Sequence, residues 1–275
     1  MNENIAFIGA GNMARSLIGG LVADGWNPSA LWAADPSEDQ RALVGRHWPD
    51  IHVTDVNAEA IAHCEVLVLA VKPQVMAEVA RAMAPQVQAR KPLVVSIAAG
   101  VRSEDIERWL GGDLAVVRCM PNTPALVGSG ATGLAANTRV DARQRDLAES
   151  LLRAVGMTVW LEDEAQLDAV TALSGSGPAY CFLFIEALED AGTALGLPRE
   201  TARLLALQTA FGAAKLALES DEDAATLRAR VTSRGGTTER ALAVLEAGEL
   251  RELMQRALTA ARDRSHELAD QLGRD

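Results

Sequence analysis

The sequence is poor in the residues on which disulfide frameworks, metal centres and nucleophilic catalysis depend. Its three cysteines are odd in number and include no CxxC pair, so we predict neither a disulfide framework nor a zinc site. None of its four histidines joins a serine or cysteine in a recognisable nucleophilic arrangement. We interpret the acidic clusters, Glu162 to Glu164 and Glu219 to Asp223, as solvated helix ends or linkers. These absences predict a protein without a bound metal.

Long apolar runs and an excess of positive charge are also missing. No stretch approaches the roughly 18 apolar residues of a membrane-spanning helix. The 37 acidic and 26 basic residues give a net charge of −11, which disfavours binding to nucleic acid or to an anionic membrane. The first residues lack the basic region, apolar segment and cleavage site of an export signal. We therefore expect a cytoplasmic protein, in which a small anionic substrate would need a locally built pocket.

Two patterns of hydrophobicity divide the chain. From Asn4 to about Leu161, short apolar runs alternate with amphipathic stretches, which is typical of a parallel sheet covered by helices on both faces. The predicted strands are 4–8, 30–34, 51–53, 66–71, 93–97, 114–119, 131–136 and 157–161. After Glu162 the residues follow helical spacing. We therefore predict an α/β domain over residues 1–162 and an all-helical domain over residues 163–275.

A glycine-rich turn follows the first predicted strand. The segment Gly9-Ala10-Gly11-Asn12-Met13-Ala14 lies between that strand and a helix, which is the context of a dinucleotide-binding fingerprint. In that motif Gly9 permits the tight turn, and Gly11 lets the backbone approach a pyrophosphate at the helix N-terminus. Ala14 takes the third, packing position. Two glycines can also form an ordinary turn, but the surrounding pattern favours dinucleotide binding.

Asp35 ends the second predicted strand. An acid at this place can accept hydrogen bonds from the adenosine ribose hydroxyls. The alternative is a helix N-cap, since Pro36-Ser37-Glu38-Asp39 resembles a helix start, and both can hold. The carboxylate disfavours a 2′-phosphate, while Arg41 is the nearest base. The sequence therefore leaves the choice between NADH and NADPH open.

Three further strand ends carry polar or turn residues: Ala70 to Gln74, Ala98 to Gly100 and Arg118 to Pro124. In open α/β sheets ligands bind beyond the carboxyl ends of the strands, so these turns should line the nicotinamide side of a cleft. Lys72 can equally be a solvated strand end. Asn122 can cap a local turn.

The predicted helical domain contains one apolar helix and two loops of small residues. Ala179 to Leu195 is apolar around much of its circumference, which predicts burial on more than one side, including by a second subunit. Ser174 to Tyr180 and Val231 to Glu239 bring small residues to helix starts. These loops are either N-caps, with Thr238 as an ordinary first-turn residue, or, at residues 235–238, an anion nest that holds a carboxylate.

Together these segments resemble the pyrroline-5-carboxylate reductase family. The resemblance covers essentially the whole chain, and its more specific motifs are MPNTPA at 120–125, SGSGPAY at 174–180 and VTSRGGTT at 231–238. It implies a Rossmann-type dinucleotide-binding domain followed by an all-helical dimerisation domain, in a homodimer that forms a decamer of five dimers in some members. It also implies reduction of 1-pyrroline-5-carboxylate to L-proline, the last step of proline biosynthesis, with NADPH or NADH.

The resemblance assigns candidate site residues by position. The candidate cofactor-binding residues are Ile8, Gly9, Ala10, Gly11, Asn12, Met13, Asp35, Asn57, Ala70, Val71, Lys72, Pro73, Ala98, Ala99, Gly100 and Asn122. The candidate substrate-binding residues are Ser176, Ser233, Gly235, Gly236, Thr237 and Thr238. The candidate catalytic residues are Thr238 and Lys72. Two positions depart from the family pattern: Arg234 replaces a usual proline and Ala229 a common acid, so loop rigidity and one side-chain contact differ here.

The expected chemistry needs little from acid or base side chains. Protonation of the imine nitrogen gives an iminium that accepts hydride and already carries the amine proton, so no dedicated general acid is required. The protein must hold the carboxylate and place the imine carbon against the nicotinamide. We assign the N–H groups of residues 235–238 to the carboxylate and the Thr238 hydroxyl to the ring nitrogen. The rivals are a β-hydroxyacid dehydrogenase, with Lys215 as its base, and a redox-sensing regulator that binds dinucleotide without turnover.

Overall fold

The computed structural model describes residues 3–274, which form two compact units. Gly177–Thr259 forms the second unit, and the rest of the described chain forms the first. The predicted boundary at residue 162 therefore falls inside the first unit. The cause is that the helix Gln166–Val170 packs on the sheet, where a Cβ placed on Gly133 would lie 2.9 Å from the Val170 side chain. The domain limits 1–162 and 163–275 stay a prediction.

The first unit is built on one eight-stranded sheet. Its strands are β1 (Ile5–Ile8), β2 (Leu31–Ala34), β3 (His52–Thr54), β4 (Val66–Leu69), β5 (Leu93–Ser96), β6 (Val116–Met120), β7 (Gly130–Ala136) and β8 (Gly156–Trp160). They lie in the order β3-β2-β1-β4-β5-β6-β7-β8. All eight predicted strands are present, because short apolar runs bounded by turn residues mark buried strands. The Rossmann-type fold class is confirmed.

The helices follow the strands as the sequence pattern predicts. They are α1 (Asn12–Ala23), α2 (Glu38–His47), α3 (Asn57–His63), α4 (Pro73–Arg90), α5 (Ser103–Trp109), α6 (Ala142–Arg153), α7 (Gln166–Val170), α8 (Gly177–Ala194), α9 (Arg199–Glu219), α10 (Ala224–Arg230), α11 (Thr237–Ala247) and α12 (Leu250–Leu272). A π-helical turn at Thr171–Gly175 joins α7 to α8. The second half of the chain is helical, as predicted.

The last two strands reverse direction. β7 runs antiparallel to β6, and β8 is parallel to β7, so the parallel arrangement that the alternation of strands and helices indicates does not extend to this edge. A parallel neighbour needs a crossover of about a dozen residues or more, usually with a helix. The connection between β6 and β7 is residues 121–129, and its only regular element is a 3-10 turn at Thr123–Val127. This connection is too short to return the chain to the opposite end of the sheet.

Two apolar layers cover the faces of the sheet. Along β1, Ile5 and Phe7 pack into one layer and Ala6 and Ile8 into the other, because successive side chains of a strand point to opposite faces. Side chains of α1 and α6 complete the first layer, and those of α3, α4 and α5 complete the second. Burial on both faces fixes the strands rigidly. The turns at their carboxyl ends therefore begin at fixed positions.

The second unit leaves much apolar surface uncovered within one chain. Within the part of the chain that the structure describes, no residue of α8 is buried, and Phe184 is 54% exposed. Contiguous apolar surface of this kind is typical of a protein–protein interface. Among residues 3–274, every helix is too short or too polar to cross a membrane.

Candidate active site

The glycine-rich turn between β1 and α1 has the shape that a pyrophosphate requires. Gly9 has a φ of +95°, and a Cβ there would lie 2.7 Å from the carbonyl oxygen of Ala70, so only glycine fits. Gly11 is the N-cap of α1, and apart from Gly11 and its two chain neighbours no described residue has an atom within 4 Å of the place its Cβ would take. Because that space is open beside the N–H groups of the first helical turn, the turn fits a dinucleotide phosphate.

Asp35 follows β2 and reaches back to this turn. Its Oδ2 accepts a hydrogen bond from the N–H of Ala10 at 2.8 Å, and its Oδ1 accepts one from the N–H of Ser37 at 2.8 Å. The N-cap of α2 is Ser37, whose hydroxyl accepts from the N–H of Gln40. The interpretation of Asp35 as the helix cap is therefore wrong. Its carboxylate instead stands beside the glycine-rich turn, where a bound adenosine ribose would lie.

The carboxyl ends of the central strands meet at one edge of the sheet. Ile8 pairs with Leu69, and Leu69 pairs with Ser96, so the turns that follow β1, β4 and β5 begin side by side. The structure therefore brings the predicted segments 8–13, 70–73 and 98–100 to this edge. Asn57, the first residue of α3, follows β3 in the same sheet.

A cavity of about 640 Å³ lies at this edge within the first unit. Its lining includes Pro73, Ala99, Gly100 and Ser176, four of the residues predicted from the sequence. The last turns of α12 form another wall, which includes Leu268. Sequence reasoning missed α12 here because its amphipathic pattern indicates burial but not which surface it covers. The cavity is large enough for a small ring and is mostly apolar.

Lys72 lies in the turn between β4 and α4. It is the N-cap of α4, with Pro73 in the first helical position, and its side chain is exposed. None of the described residues forms an ion pair or hydrogen bond with its ammonium group. The structure is therefore compatible with both interpretations of Lys72, as a solvated strand end and as a site residue.

Asn122 makes contacts inside the chain that its sequence position did not indicate. Its Oδ1 accepts a hydrogen bond from the N–H of Ala131 at 2.8 Å, and its Nδ2 donates to the carbonyl oxygen of Ser174 at 3.1 Å. It is the N-cap residue of the turn at Thr123–Val127, as predicted, but it caps that turn through its backbone carbonyl and makes no side-chain capping bond there. Because the side chain is buried, Asn122 holds the turn that carries Ser176 against the sheet.

A partly buried ion pair joins β6 to the segment just before α7. Arg118 of β6 donates to Glu164 at 2.6 Å, and Glu164 also accepts hydrogen bonds from the N–H of Ser103, at 2.7 Å, and from the Ser103 hydroxyl. Partial burial raises the pKa of the Glu164 carboxyl, but Arg118 and Ser103 outweigh it and lower that pKa overall. The interpretation of Glu164 as a solvated residue is therefore wrong.

The loop before α11 lies in the second unit. Gly236 is the N-cap of α11, which places Thr237 and Thr238 in the first turn. The N–H of Gly235 donates to the Glu239 carboxylate at 2.7 Å, and the N–H of Gly236 donates to the Ser233 carbonyl at 3.0 Å. Two of the four N–H groups expected to form an anion nest are therefore already occupied. The amides of residues 237 and 238 lie in the first helical turn, where N–H groups lack helical acceptors.

The Thr238 side chain has an unused hydroxyl. It is half-buried, and none of residues 3–274 exchanges a hydrogen bond with its hydroxyl. Since Gly236 rather than Thr238 is the cap, the hydroxyl has no structural task in the helix start. It is available to a ligand.

Comparison with known proteins matches both halves of the chain. The family model described as pyrroline-5-carboxylate reductase dimerisation matches residues 164–268. The model described as NADP oxidoreductase coenzyme F420-dependent matches residues 4–100. A solved structure of a pyrroline-5-carboxylate reductase from Coxiella burnetii has a TM-score of 0.94 at 47% identity and covers 98% of this chain and 99% of that one.

Relatives from distant organisms match over the same length. The pyrroline-5-carboxylate reductase of Pseudomonas aeruginosa is 55% identical over 98% of this chain and 98% of that protein. The structure of the Plasmodium falciparum pyrroline carboxylate reductase with NADP bound has a TM-score of 0.85 at 30% identity and covers 98% of both chains. Because similarity of this strength extends over almost the whole sequence, the chain belongs to the pyrroline-5-carboxylate reductase family.

Proposed function

We propose that the chain reduces 1-pyrroline-5-carboxylate to L-proline with hydride from NADH or NADPH, the last step of proline biosynthesis. The observation that carries the proposal is the 55% identity with a pyrroline-5-carboxylate reductase over 98% of both chains. The glycine-rich turn supports it, because the open space beside Gly11 fits a dinucleotide phosphate. The bound nicotinamide supplies the hydride, and the residues of the chain supply binding and orientation.

The substrate-binding loop provides the polar contacts that the reaction needs. The N–H groups of Thr237 and Thr238, at the positive end of α11, hold the substrate carboxylate. The Thr238 hydroxyl accepts a hydrogen bond from the protonated ring nitrogen of the iminium. When the C=N carbon gains hydride, the electron pair of the C=N bond moves to nitrogen and gives the amine. That nitrogen already carries its proton, so no side chain transfers one during this step.

The turns at the sheet edge form the nicotinamide side of the coenzyme site. The cavity that includes Ala99, Gly100 and Ser176 offers mainly apolar walls, which exclude water from a nicotinamide bound at this edge of the sheet. Asn122 acts through its hydrogen bond to the Ser174 carbonyl, which fixes Ser176. The exposed Lys72 at the start of α4 attracts the substrate carboxylate electrostatically.

The exposed apolar helices of the second unit support a homodimer. Uncovered surface on α8, including Phe184, is what a second copy of the chain would bury, and the match to a dimerisation model covers this region. We place the homodimer in the cytoplasm. Mass measurement in solution distinguishes a dimer from a pentamer of dimers.

One assay separates this function from its two rivals. The protein is given NADH or NADPH with the cyclic imine, and separately NAD⁺ or NADP⁺ with 3-hydroxy acids. We expect coenzyme oxidation with the imine alone. Lys215, the candidate base of a hydroxyacid dehydrogenase, lies 3.7 Å from Glu219 on α9 in an exposed ion pair. Turnover of a 3-hydroxy acid, or coenzyme binding without turnover of any substrate, would refute the proposal.

A further inference from the structure

A tight turn leads into α11. The N–H of Gly236 donates to the carbonyl oxygen of Ser233 at 3.0 Å, which closes a four-residue β-turn with Arg234 and Gly235 at its two central positions. Arg234 has a negative φ and Gly235 has a φ of +75°, which is the combination of a type II turn. Proline is favoured at the first central position of such a turn because its ring fixes φ. Arg234 brings no such rigidity, and what it adds to the turn is a positive charge.

The guanidinium of Arg234 has no partner among the residues that the structure describes. Its side chain is exposed, and none of residues 3–274 forms an ion pair or a hydrogen bond with the guanidinium. The acid nearest to it in sequence, Glu239, instead accepts a hydrogen bond from the N–H of Gly235 at 2.7 Å. A guanidinium has five N–H donors, and those of Arg234 are therefore available to an anion.

The segment around this turn is basic, although the chain as a whole is acidic. Residues 228–240 contain four arginines and one glutamate, whereas the whole chain has a net charge of −11. The first two of these arginines pair with Glu246 and Glu222. Within the described part of the chain, Arg234 and Arg240 are left without an ion partner. Unpaired positive charge of this kind raises the local concentration of an anion.

The unpaired charge lies beside the amides that we assign to the substrate carboxylate. The N–H groups of Thr237 and Thr238 belong to the first turn of α11, where N–H groups lack helical acceptors. The cap residue Gly236 ends the same β-turn that contains Arg234, and the ends of a β-turn lie within about 7 Å of each other. The positive end of the helix dipole and the guanidinium therefore act on the same anion.

We propose that Arg234 attracts the substrate carboxylate and turns it toward the start of α11. The inference rests on the proposed function, because it adds a residue to the same substrate-binding loop. The guanidinium attracts the carboxylate and repels the positive iminium nitrogen, so a substrate with both charges approaches the loop with its carboxylate first. The amides of Thr237 and Thr238 then hold that carboxylate. Arg234 is therefore a positioning residue that acts before hydride transfer and contacts no reacting atom.

The test compares Arg234→Gln with the wild type by steady-state kinetics at low and at high ionic strength. Removal of this charge should raise the KM for pyrroline-5-carboxylate about threefold to tenfold at about 10 mM salt and leave kcat unchanged. At about 1 M salt, where charges are screened beyond about 3 Å, the two KM values should agree. Arg234→Lys keeps the charge and should keep the KM within about twofold of the wild type. The melting temperature of Arg234→Gln should not change, because backbone groups close the turn.

Arg46→Gln is the matched control. Arg46 lies in the last turn of α2, is exposed and also has no ion partner among the described residues, so its removal should leave the KM within about twofold of the wild type. The inference is overturned if Arg234→Gln leaves the KM unchanged at low ionic strength, or if its higher KM persists in full at high ionic strength. An equal rise of the KM in Arg46→Gln would also overturn it. Lack of imine turnover by the wild type is a separate result, which would refute the proposed function itself.

Discussion

The hydroxyl of Thr238 offers a sharp test of the substrate-binding loop. Thr238→Ala removes one hydrogen bond to the charged iminium nitrogen, and such a bond is worth about 1.5–3 kcal/mol. The kcat/KM for the imine should therefore fall roughly tenfold to a hundredfold. Stability should barely change, because Gly236 is the cap of α11 and alanine is the best helix former in the first turn. The measurements are steady-state kinetics and thermal melts on one preparation.

Two further variants make the result specific. Thr238→Ser keeps the hydroxyl and should retain most of the wild-type kcat/KM. Thr201→Ala makes the same chemical change in the first turn of α9, at an exposed residue, and should leave kcat/KM unchanged. The reasoning is refuted if Thr238→Ala keeps kcat/KM within about twofold of the wild type, or if its melting temperature falls instead. The second result would mean that the hydroxyl supports the helix start.

Three other changes test the cofactor turn, the ion pair and the dimer. Gly9→Ala forces a Cβ to 2.7 Å from the Ala70 carbonyl oxygen at a φ of +95°. We expect this change to cost about 1–3 kcal/mol of stability and to weaken coenzyme binding in titrations. Normal coenzyme binding would contradict the assignment of the turn. Phe184→Asp should convert the dimer to a monomer, because an unpaired charge would be buried in the interface; sedimentation at micromolar concentration measures this. Wild-type protein that sediments as a monomer would exclude an obligate dimer. Because the folded-state pKa of Glu164 is lowered, the carboxylate contributes stability above its ordinary pKa of about 4.3, and this contribution is lost as the pH falls through the lowered value. Urea unfolding between pH 7 and pH 3 should therefore show a steeper acid loss for the wild type than for Glu164→Gln, and parallel curves would contradict the ion-pair argument.

The local pattern of apolar and turn residues in the sequence determined much of the secondary structure of this protein. The strands of the sheet, the glycine-rich turn at Gly9 and the helical second half followed from the sequence, because hydrophobic period, β-branched runs and turn residues act over consecutive positions. The start of α11 beside Gly236 also followed from its small residues. These features depend on hydrogen bonds and packing between near neighbours in the chain.

Only the tertiary structure decided the partners of the polar side chains. Asp35 bonds to Ala10 across 25 residues, Asn122 to Ser174 across 52, and Glu164 to Ser103 across 61. The sequence shows that each side chain can accept or donate, but not which group the fold places opposite it. The reversed direction of β7 was also undecided, because strand pattern is the same in both directions. Contacts between distant segments arise from the packing of whole layers, and no local pattern encodes them.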